Sequence, residues 1–299
     1  MKYLFYPGCS AMGTALEYKC SSEAVLTVLG VELQELDDWT CCGSSIAPVM
    51  SDLLSVVLPA RNLAIAEQAD RDRDLLVICS ACFTSFCSAN MRIATTPGLL
   101  DTVNEALAVE GLHYDGRVRV RHLLDVLAND IGPENIKEKV VRPLKGLMVA
   151  PYYGCQTVRP YGDYDDNEHP DSMVGILEAL GADVYHHSYE ARCCGTSLRT
   201  TKPAVGLGMA GRILAAASPA DCIAAVCPMC QMNLDTYQDK ASLVIGEELH
   251  IPVFFLTQLM GLAMGMSQRR MMVRRNITST KPALAKMEKN TSRQVQVHK

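Results

Sequence analysis

Short apolar runs alternate with longer segments of helical period along most of the chain. Lys2–Tyr6 and Gly146–Ala150 have strand length, and each leads into a Gly-Cys pair. Helical periodicity follows at Ser21–Leu29 and Met173–Leu180, each closed by a glycine, Gly30 or Gly181, at the position just past the helix. Longer amphipathic helices are predicted over Leu53–Ala69 and Pro203–Ala217. Leu75–Cys79 and Ile223–Cys227 are apolar throughout, as strands buried on both faces of a parallel sheet are. Strands alternating with helices imply βαβ units, whose right-handed crossovers bring all strand C-terminal ends to one edge.

The pattern occurs twice. Leu4–Cys9 corresponds to Ala150–Cys155, and the Cys41-Cys42-Gly43 segment to Cys193-Cys194-Gly195. Leu75–Cys82 corresponds to Ile223–Cys230, and Val120–Leu127 to Val253–Met260. Four matches in the same order are an internal repeat. The expected architecture is therefore α/β: two similar Rossmann-like parallel-sheet domains related by a pseudo-two-fold axis, their cysteine-bearing edges facing each other. A Gly-Pro and a charged stretch mark the boundary between Gly132 and Arg142, giving domains 1–140 and 141–266.

Ten of the thirteen cysteines fall into this repeat. In the first half Cys9 is followed after 31 residues by Cys41-Cys42, and after 36 more by Cys79-x-x-Cys82. In the second, Cys155 is followed after 37 by Cys193-Cys194, and after 32 by Cys227-x-x-Cys230. The chain opens without the apolar stretch of a signal peptide, so a reducing, cytoplasmic setting is expected, and there such spacings point to metal or redox chemistry rather than disulfides. Structural zinc takes four ligands, whereas each set offers five thiolates including a vicinal pair. Adjacent thiolates close a cramped ring on one tetrahedral ion but can serve neighbouring irons, which favours a polynuclear iron–sulfur cluster. Gly43, Ser44 and Ser45, and likewise Gly195, Thr196 and Ser197, are expected at a helix start, where backbone N–H groups offset thiolate charge.

Composition narrows the picture further. Residues 267–299 hold nine Lys/Arg and one Glu, a net +8, which leaves −13 on residues 1–266 of the chain's overall −5. So acidic a body is a poor nucleic-acid binder, and the tail is expected to be a disordered basic extension. No apolar run reaches the length of a membrane span.

The cysteine spacing resembles the CCG domain of the B-type chain of heterodisulfide reductase, present here in two complete copies. Tyr6-Pro7-Gly8-Cys9 and the closing segment 255–263 are also similar to that family, and the resemblance extends to about residue 265. It implies two noncubane [4Fe–4S] clusters, one on Cys9, Cys41, Cys42, Cys79 and Cys82, the other on Cys155, Cys193, Cys194, Cys227 and Cys230. It also implies a small thiol or disulfide substrate handled at Cys41, Cys42, Cys193 and Cys194. With no ferredoxin motif in the chain, electrons are expected from a ferredoxin-like iron–sulfur subunit, itself served by a flavin subunit. The alternatives are an electron-transfer subunit of a glycolate, lactate, glycerol-3-phosphate or quinone-linked oxidoreductase, and a non-enzyme: an assembly or zinc-stabilised interaction protein.

Other features carry blander readings. Gly206-x-Gly208-x-x-Gly211 spells a dinucleotide fingerprint, but it falls inside a helix and position 231 is Gln, so no nucleotide site is expected. Cys20, Cys87 and Cys222 are expected to be small core residues, with Cys87 the alternative ligand to watch. His186 and His187 are expected at the surface or behind the ligands. Tyr6, Tyr152 and Tyr153 are placed in the core or lining the cleft, and Trp39 shields the first cluster. The acidic stretch Tyr161–Asp171 lacks the spacing of a calcium loop and is expected to be an inserted surface loop.

Overall fold

Each half of the chain builds a four-stranded parallel sheet. In the computed structural model, which describes residues 1–288, β1 (Lys2–Tyr6), β2 (Glu32–Glu35), β3 (Leu75–Val77) and β4 (Val120–His122) assemble in the order β2-β1-β3-β4. The strands β5 (Met148–Tyr152), β6 (Asp183–Val184), β7 (Cys222–Ala225) and β8 (Val253–Phe255) repeat it as β6-β5-β7-β8. Equivalent strands pair in parallel, Leu4 opposite Leu75 in one sheet and Ala150 opposite Ile223 in the other. The first half carries helices α1 (Leu16–Val28), α2 (Ala47–Met50), α3 (Leu54–Ala69), α4 (Ser80–Thr95), α5 (Leu99–Leu107), α6 (Leu123–Asp125), continued by a π turn over Val126–Ile131, and α7 (Pro133–Glu138). The second carries α8 (Cys155–Val158), α9 (Ser172–Ala179), α10 (Pro203–Ala217), α11 (Pro228–Thr236), α12 (Gln238–Ile245) and α13 (Leu256–Ala263).

Strand alternation divides the core. Leu4, Tyr6, Leu75 and Val77 face a cluster whose buried residues all come from the first half, with Tyr161, Tyr164 and Met229 of the second packed on it, while Tyr3, Phe5, Leu76 and Ile78 face a core shared by both halves. The second sheet does the same: Ala150, Ile223 and Ala225 point outward, and Val149, Cys222 and Ala224 point into the shared core. Helices cross between the sheets in matched pairs, α1 on α13 and α9 on the α6–π segment, as a pseudo-two-fold relation demands. Tyr18 on α1 stacks on Phe255 at 4.1 Å between centroids and donates to the Val226 carbonyl. The boundary segment contains α7, which packs on α9 of the other half, so the two halves share an interior.

The expectation of a disordered tail from residue 267 is corrected as far as residue 288. Met271, Val273 and Ala283 are buried in the shared core, which supplies the apolar drive that the tail's charge count concealed. Its polar groups are tied down as well. Arg275 pairs with the buried Glu17 at 2.7 Å, Lys286 pairs with Asp221 at 2.6 Å, and the Asp235 carboxylate accepts from the Ile277 and Thr278 N–H groups. The remainder of the expected tail, residues 289–299, lies outside the described residues.

Candidate metal centres

Each five-cysteine set gathers from loops at the C-terminal edge of its sheet. Cys9 lies just past β1, Cys41 and Cys42 lie between β2 and α2, Cys79 caps α4, and Cys82 sits in its first turn. In the second half Cys155 opens α8, Cys193 and Cys194 lie between β6 and α10, Cys227 caps α11, and Cys230 sits in its first turn. All thirteen cysteines are unpaired.

Within a set the sulfurs come close in pairs. Cys42 Sγ is 3.2 Å from Cys82 Sγ, and Cys41 Sγ is 3.9 Å from Cys9 Sγ. Cys193 is within hydrogen-bond reach of Cys155, and Cys194 of Cys230. Among the described residues no three His, Cys, Asp or Glu side chains gather around a point suited to a single metal ion. The two sets also approach each other: the buried thiols of Cys79 and Cys227 lie close enough to shift each other's proton affinity in opposite directions. Elsewhere the sets are more open: Cys9 and Cys41 are exposed, and Cys155 and Cys193 are half-buried.

The scaffold treats both sets alike. Gly8 and Gly154 have φ of +78° and +74°, and a Cβ there would stand 3.3 Å from Cys82 Sγ and 3.2 Å from Cys230 Sγ. Tyr6 donates to the Thr40 carbonyl at 2.8 Å and Tyr152 to the Arg192 carbonyl at 2.7 Å, so each tyrosine clamps the loop just before its vicinal pair. Three residues past each Cys-x-x-Cys, Ser85 and Asn233 donate to the carbonyls of Cys42 and Cys194 at 3.0 and 2.7 Å. Position relative to the motif was the available signal for these four residues, and the pairwise repeat alone does not reveal what they bond.

Donors reach the sulfurs directly. The Gly43 N–H points at Cys41 Sγ (3.5 Å), the Gly195 N–H at Cys193 Sγ (3.4 Å), and the Thr196 hydroxyl lies 3.2 Å from Cys194 Sγ. Hydrogen bonds from Cys41 and Cys82 hold the Cys42 thiol down to about 3 against its burial. A hydrogen bond from Cys155, helped by the Gly195 N–H, holds Cys193 down to about 6. Their proton-keeping neighbours Cys41 and Cys155 are pushed up. A site that stabilises thiolates in this way suits a metal that binds thiolate sulfur. The expected helix start is shorter than the spacing suggests: α2 has four residues and Thr196–Leu198 form a single 3₁₀ turn, so the N–H donors come from the turn itself.

Residues outside the sets take structural parts. Cys20 lies on α1, Cys222 is buried in β7, and Cys87, on α4, is pushed up to about 12 by burial. His187 donates to the Pro151 carbonyl at 3.2 Å, and His186 faces Glu190 at 3.1 Å. His122 is fully buried and heads a hydrogen-bonded chain. Its Nδ1 accepts from the Leu124 N–H and its Nε2 faces Ser80 Oγ at 3.3 Å; Ser80 meets Thr157 at 2.6 Å, and Thr157 donates to the Tyr153 carbonyl. Trp39 packs edge-on against Tyr6 at 5.2 Å, beside the first set. In the inserted loop, Asp165 and Asp166 accept backbone N–H groups of the loop and its flank. Residues of that loop and of 186–192 wall a cavity of about 540 Å³ that no cysteine lines. The glycines of the G-x-G-x-x-G stretch serve packing: a Cβ on Gly206 would stand 2.8 Å from the Gly195 carbonyl oxygen, and one on Gly211 would stand 2.8 Å from Ile245.

The CCG cysteine-rich domain family matches residues 3–87 and again 149–235. The chain is also 30% identical over 274 residues to a protein of Archaeoglobus profundus that is like the B-type chain of heterodisulfide reductase, covering 89% of this chain and 91% of that one. The chain belongs to the heterodisulfide reductase B-type family of paired CCG domains. It is 28% identical over 293 residues, and 96% and 97% of the two chains, to the B-type chain of the ferredoxin/F420H2-dependent CoB-CoM heterodisulfide reductase of Methanosarcina acetivorans. It is 36% identical over 280 residues, and 92% and 96% of the two chains, to the 8-methylmenaquinol:fumarate reductase membrane anchor subunit of Wolinella succinogenes. The fold is shared with a hypothetical protein from Helicobacter pylori at a TM-score of 0.71 and 16% identity, over 93% of this chain and 52% of that one. Family membership makes the chain an oxidoreductase subunit with iron–sulfur chemistry. No helix among the described residues is long and apolar enough to cross a membrane.

Proposed function

We infer that the chain is the catalytic subunit of a heterodisulfide reductase-like complex, cleaving or forming a disulfide by one-electron steps between two noncubane [4Fe–4S] clusters. Cys9, Cys41, Cys42, Cys79 and Cys82 would hold one, and Cys155, Cys193, Cys194, Cys227 and Cys230 the other. When bound, each supplies one electron at a time, and a disulfide needs two: R–S–S–R′ + 2e⁻ + 2H⁺ gives RSH and R′SH. The observation that supports the reading is the gathering of both five-cysteine sets at the C-terminal edges of their sheets, with Cys42 Sγ 3.2 Å from Cys82 Sγ and the buried Cys79 and Cys227 close enough to perturb each other. The chain's own part is to hold Cys41, Cys42, Cys193 and Cys194 as the reactive corner of each set. Tyr6 and Tyr152 orient that corner, and the Gly43 and Gly195 N–H groups offset its charge. A ferredoxin-like subunit, followed by a flavin subunit, completes the complex.

Anaerobic iron and sulfide analysis tests the two-cluster reading. About eight irons per chain are expected, and about four would overturn it. Cys42→Ser or Cys193→Ser should abolish disulfide turnover while circular dichroism stays unchanged.

The fumarate reductase relative carries a second reading, in which the same paired centres relay electrons in a quinol-linked complex and no thiol is turned over. Oxidation of the reduced chain by a menaquinone analogue, with no reaction toward disulfides, would favour it.

A further inference from the structure

The helix that carries two cysteines of the first set reaches into the second half. Cys79 caps α4 and Cys82 sits in its first turn, and this helix packs on α8, the turn that Cys155 opens. Two hydroxyls make the contact specific. Thr84 donates to the Gln156 carbonyl at 3.2 Å, and Ser80 meets Thr157 at 2.6 Å. Ser80 directly follows Cys79, and Gln156 and Thr157 directly follow Cys155. One cysteine of the second set is therefore placed by a helix whose start belongs to the first.

The donor directions along this contact are fixed. The Leu124 N–H occupies His122 Nδ1, so the ring proton sits on Nε2 and points at Ser80. Thr157 gives its own proton to the Tyr153 carbonyl, so Ser80 donates to Thr157. His122, Ser80, Thr157 and Tyr153 are all buried, and a chain closed at both ends fixes position rather than carrying protons. The repeat supplies a control. At the quasi-equivalent junction α11 packs on the 3₁₀ turn Ser10–Met12 just after Cys9. There Phe255, Pro228 and Ala11 stand in the places of His122, Ser80 and Thr157, all buried and none able to hydrogen-bond through its side chain. The scaffold thus closes this junction without polar groups. Burying three of them costs desolvation and returns a single geometry once every partner is satisfied.

We propose that Ser80 and Thr84, backed by His122, are positioning residues for Cys155, and that through them the two cysteine sets take up iron and sulfide as a pair rather than independently. The inference rests on the two-cluster reading above. Filling the first set fixes Cys79 and Cys82, hence the first turn of α4, hence the turn that begins at Cys155. The second set is then met already organised, which strengthens its hold on the incoming group. Linkage makes the effect mutual, so that filling the second set favours the first by the same factor.

The test supplies the full metal-free chain anaerobically with iron and sulfide to half saturation, and native mass spectrometry counts chains holding no, one and two centres. Independent sites leave about half of the chains with one centre, whereas a coupling of about 100-fold, within the usual range for linked sites, lowers that share to about a tenth. Wild type should show the lower share. Ser80→Ala and Thr157→Val should raise it toward the independent distribution, although Ser80 lies in the other half from Cys155. Thr157→Ser, which keeps the hydroxyl, should follow wild type, and so should Thr95→Val, which removes an exposed hydroxyl from the far end of α4. Ser80→Ala, the mildest change, keeps the proposal open to refutation if Thr157→Val does not fold. A wild-type chain that fills its sites independently overturns the proposal, and so does a Ser80→Ala chain that distributes like wild type. Saturation at one centre per chain sinks the two-cluster reading and this proposal with it, whereas two centres filled independently sink the coupling alone.

Discussion

Tyr6 and Tyr152 illustrate how single side chains fix the reactive corners. Both are fully buried with only the hydroxyl committed, and burial, followed by the surrounding thiolates, pushes both phenols well above their ordinary value, so they stay neutral donors. His122 is the opposite case. Burial depresses it from 6.5 to about 4, so the folded chain keeps it neutral while the unfolded chain takes up a proton below about pH 6.5. Stability is therefore lost as pH falls from 6.5 toward about 4, by up to about 1.4 kcal/mol per pH unit from this residue. In urea unfolding, His122→Gln should flatten the pH slope over that window by about that amount, and a slope identical to wild type would show that the imidazole is not held neutral. Periodicity and spacing hold no hint of this, because a histidine at the end of an edge strand looks the same whether it faces water or Ser80.

At the scale of elements, α10 shows packing that a motif search misreads. Gly206 abuts the Gly195 carbonyl, so the helix approaches the second set's loop as closely as only glycine permits. Gly206→Ala should cost about 1–3 kcal/mol as overpacking and lower iron retention in the second half. Gly208→Ala, whose Cβ would meet Val244 at an ordinary 3.7 Å, should be neutral or stabilising by up to about 1 kcal/mol through helix propensity. Thermal unfolding with iron assay on both variants checks the pair, and equal effects would refute the contact. The helices themselves were legible, with Leu53–Ala69 expected and α3 found at Leu54–Ala69, because their period is long and their ends carry glycine, proline or charge. Of the strands, Lys2–Tyr6 fell where expected, whereas Gly146–Ala150 moved to Met148–Tyr152, since a short apolar run does not say where pairing begins.

For the whole molecule, the shared core between the sheets explains why the basic segment folds back. A chain ending at Met266 loses the burial of Met271 and Val273, each large side chain contributing about 1.5–3 kcal/mol. It also leaves Glu17 buried without Arg275. Its urea midpoint should fall markedly, with iron content retained in whatever stays folded. A midpoint equal to that of the full chain would mean the segment is not bound to the core.

By itself the sequence determined the repeat, the α/β class, and which ten cysteines belong to which set, because covalent spacing and hydrophobic period are local and survive inspection one residue at a time. Only the tertiary structure decided that Cys79 and Cys227 approach each other, that the tyrosines and Ser85/Asn233 grip the vicinal loops, and that the positively charged segment docks as far as residue 288. Those are contacts between residues far apart in the chain, and net charge or composition cannot register an apolar side chain finding a hole in another half's core.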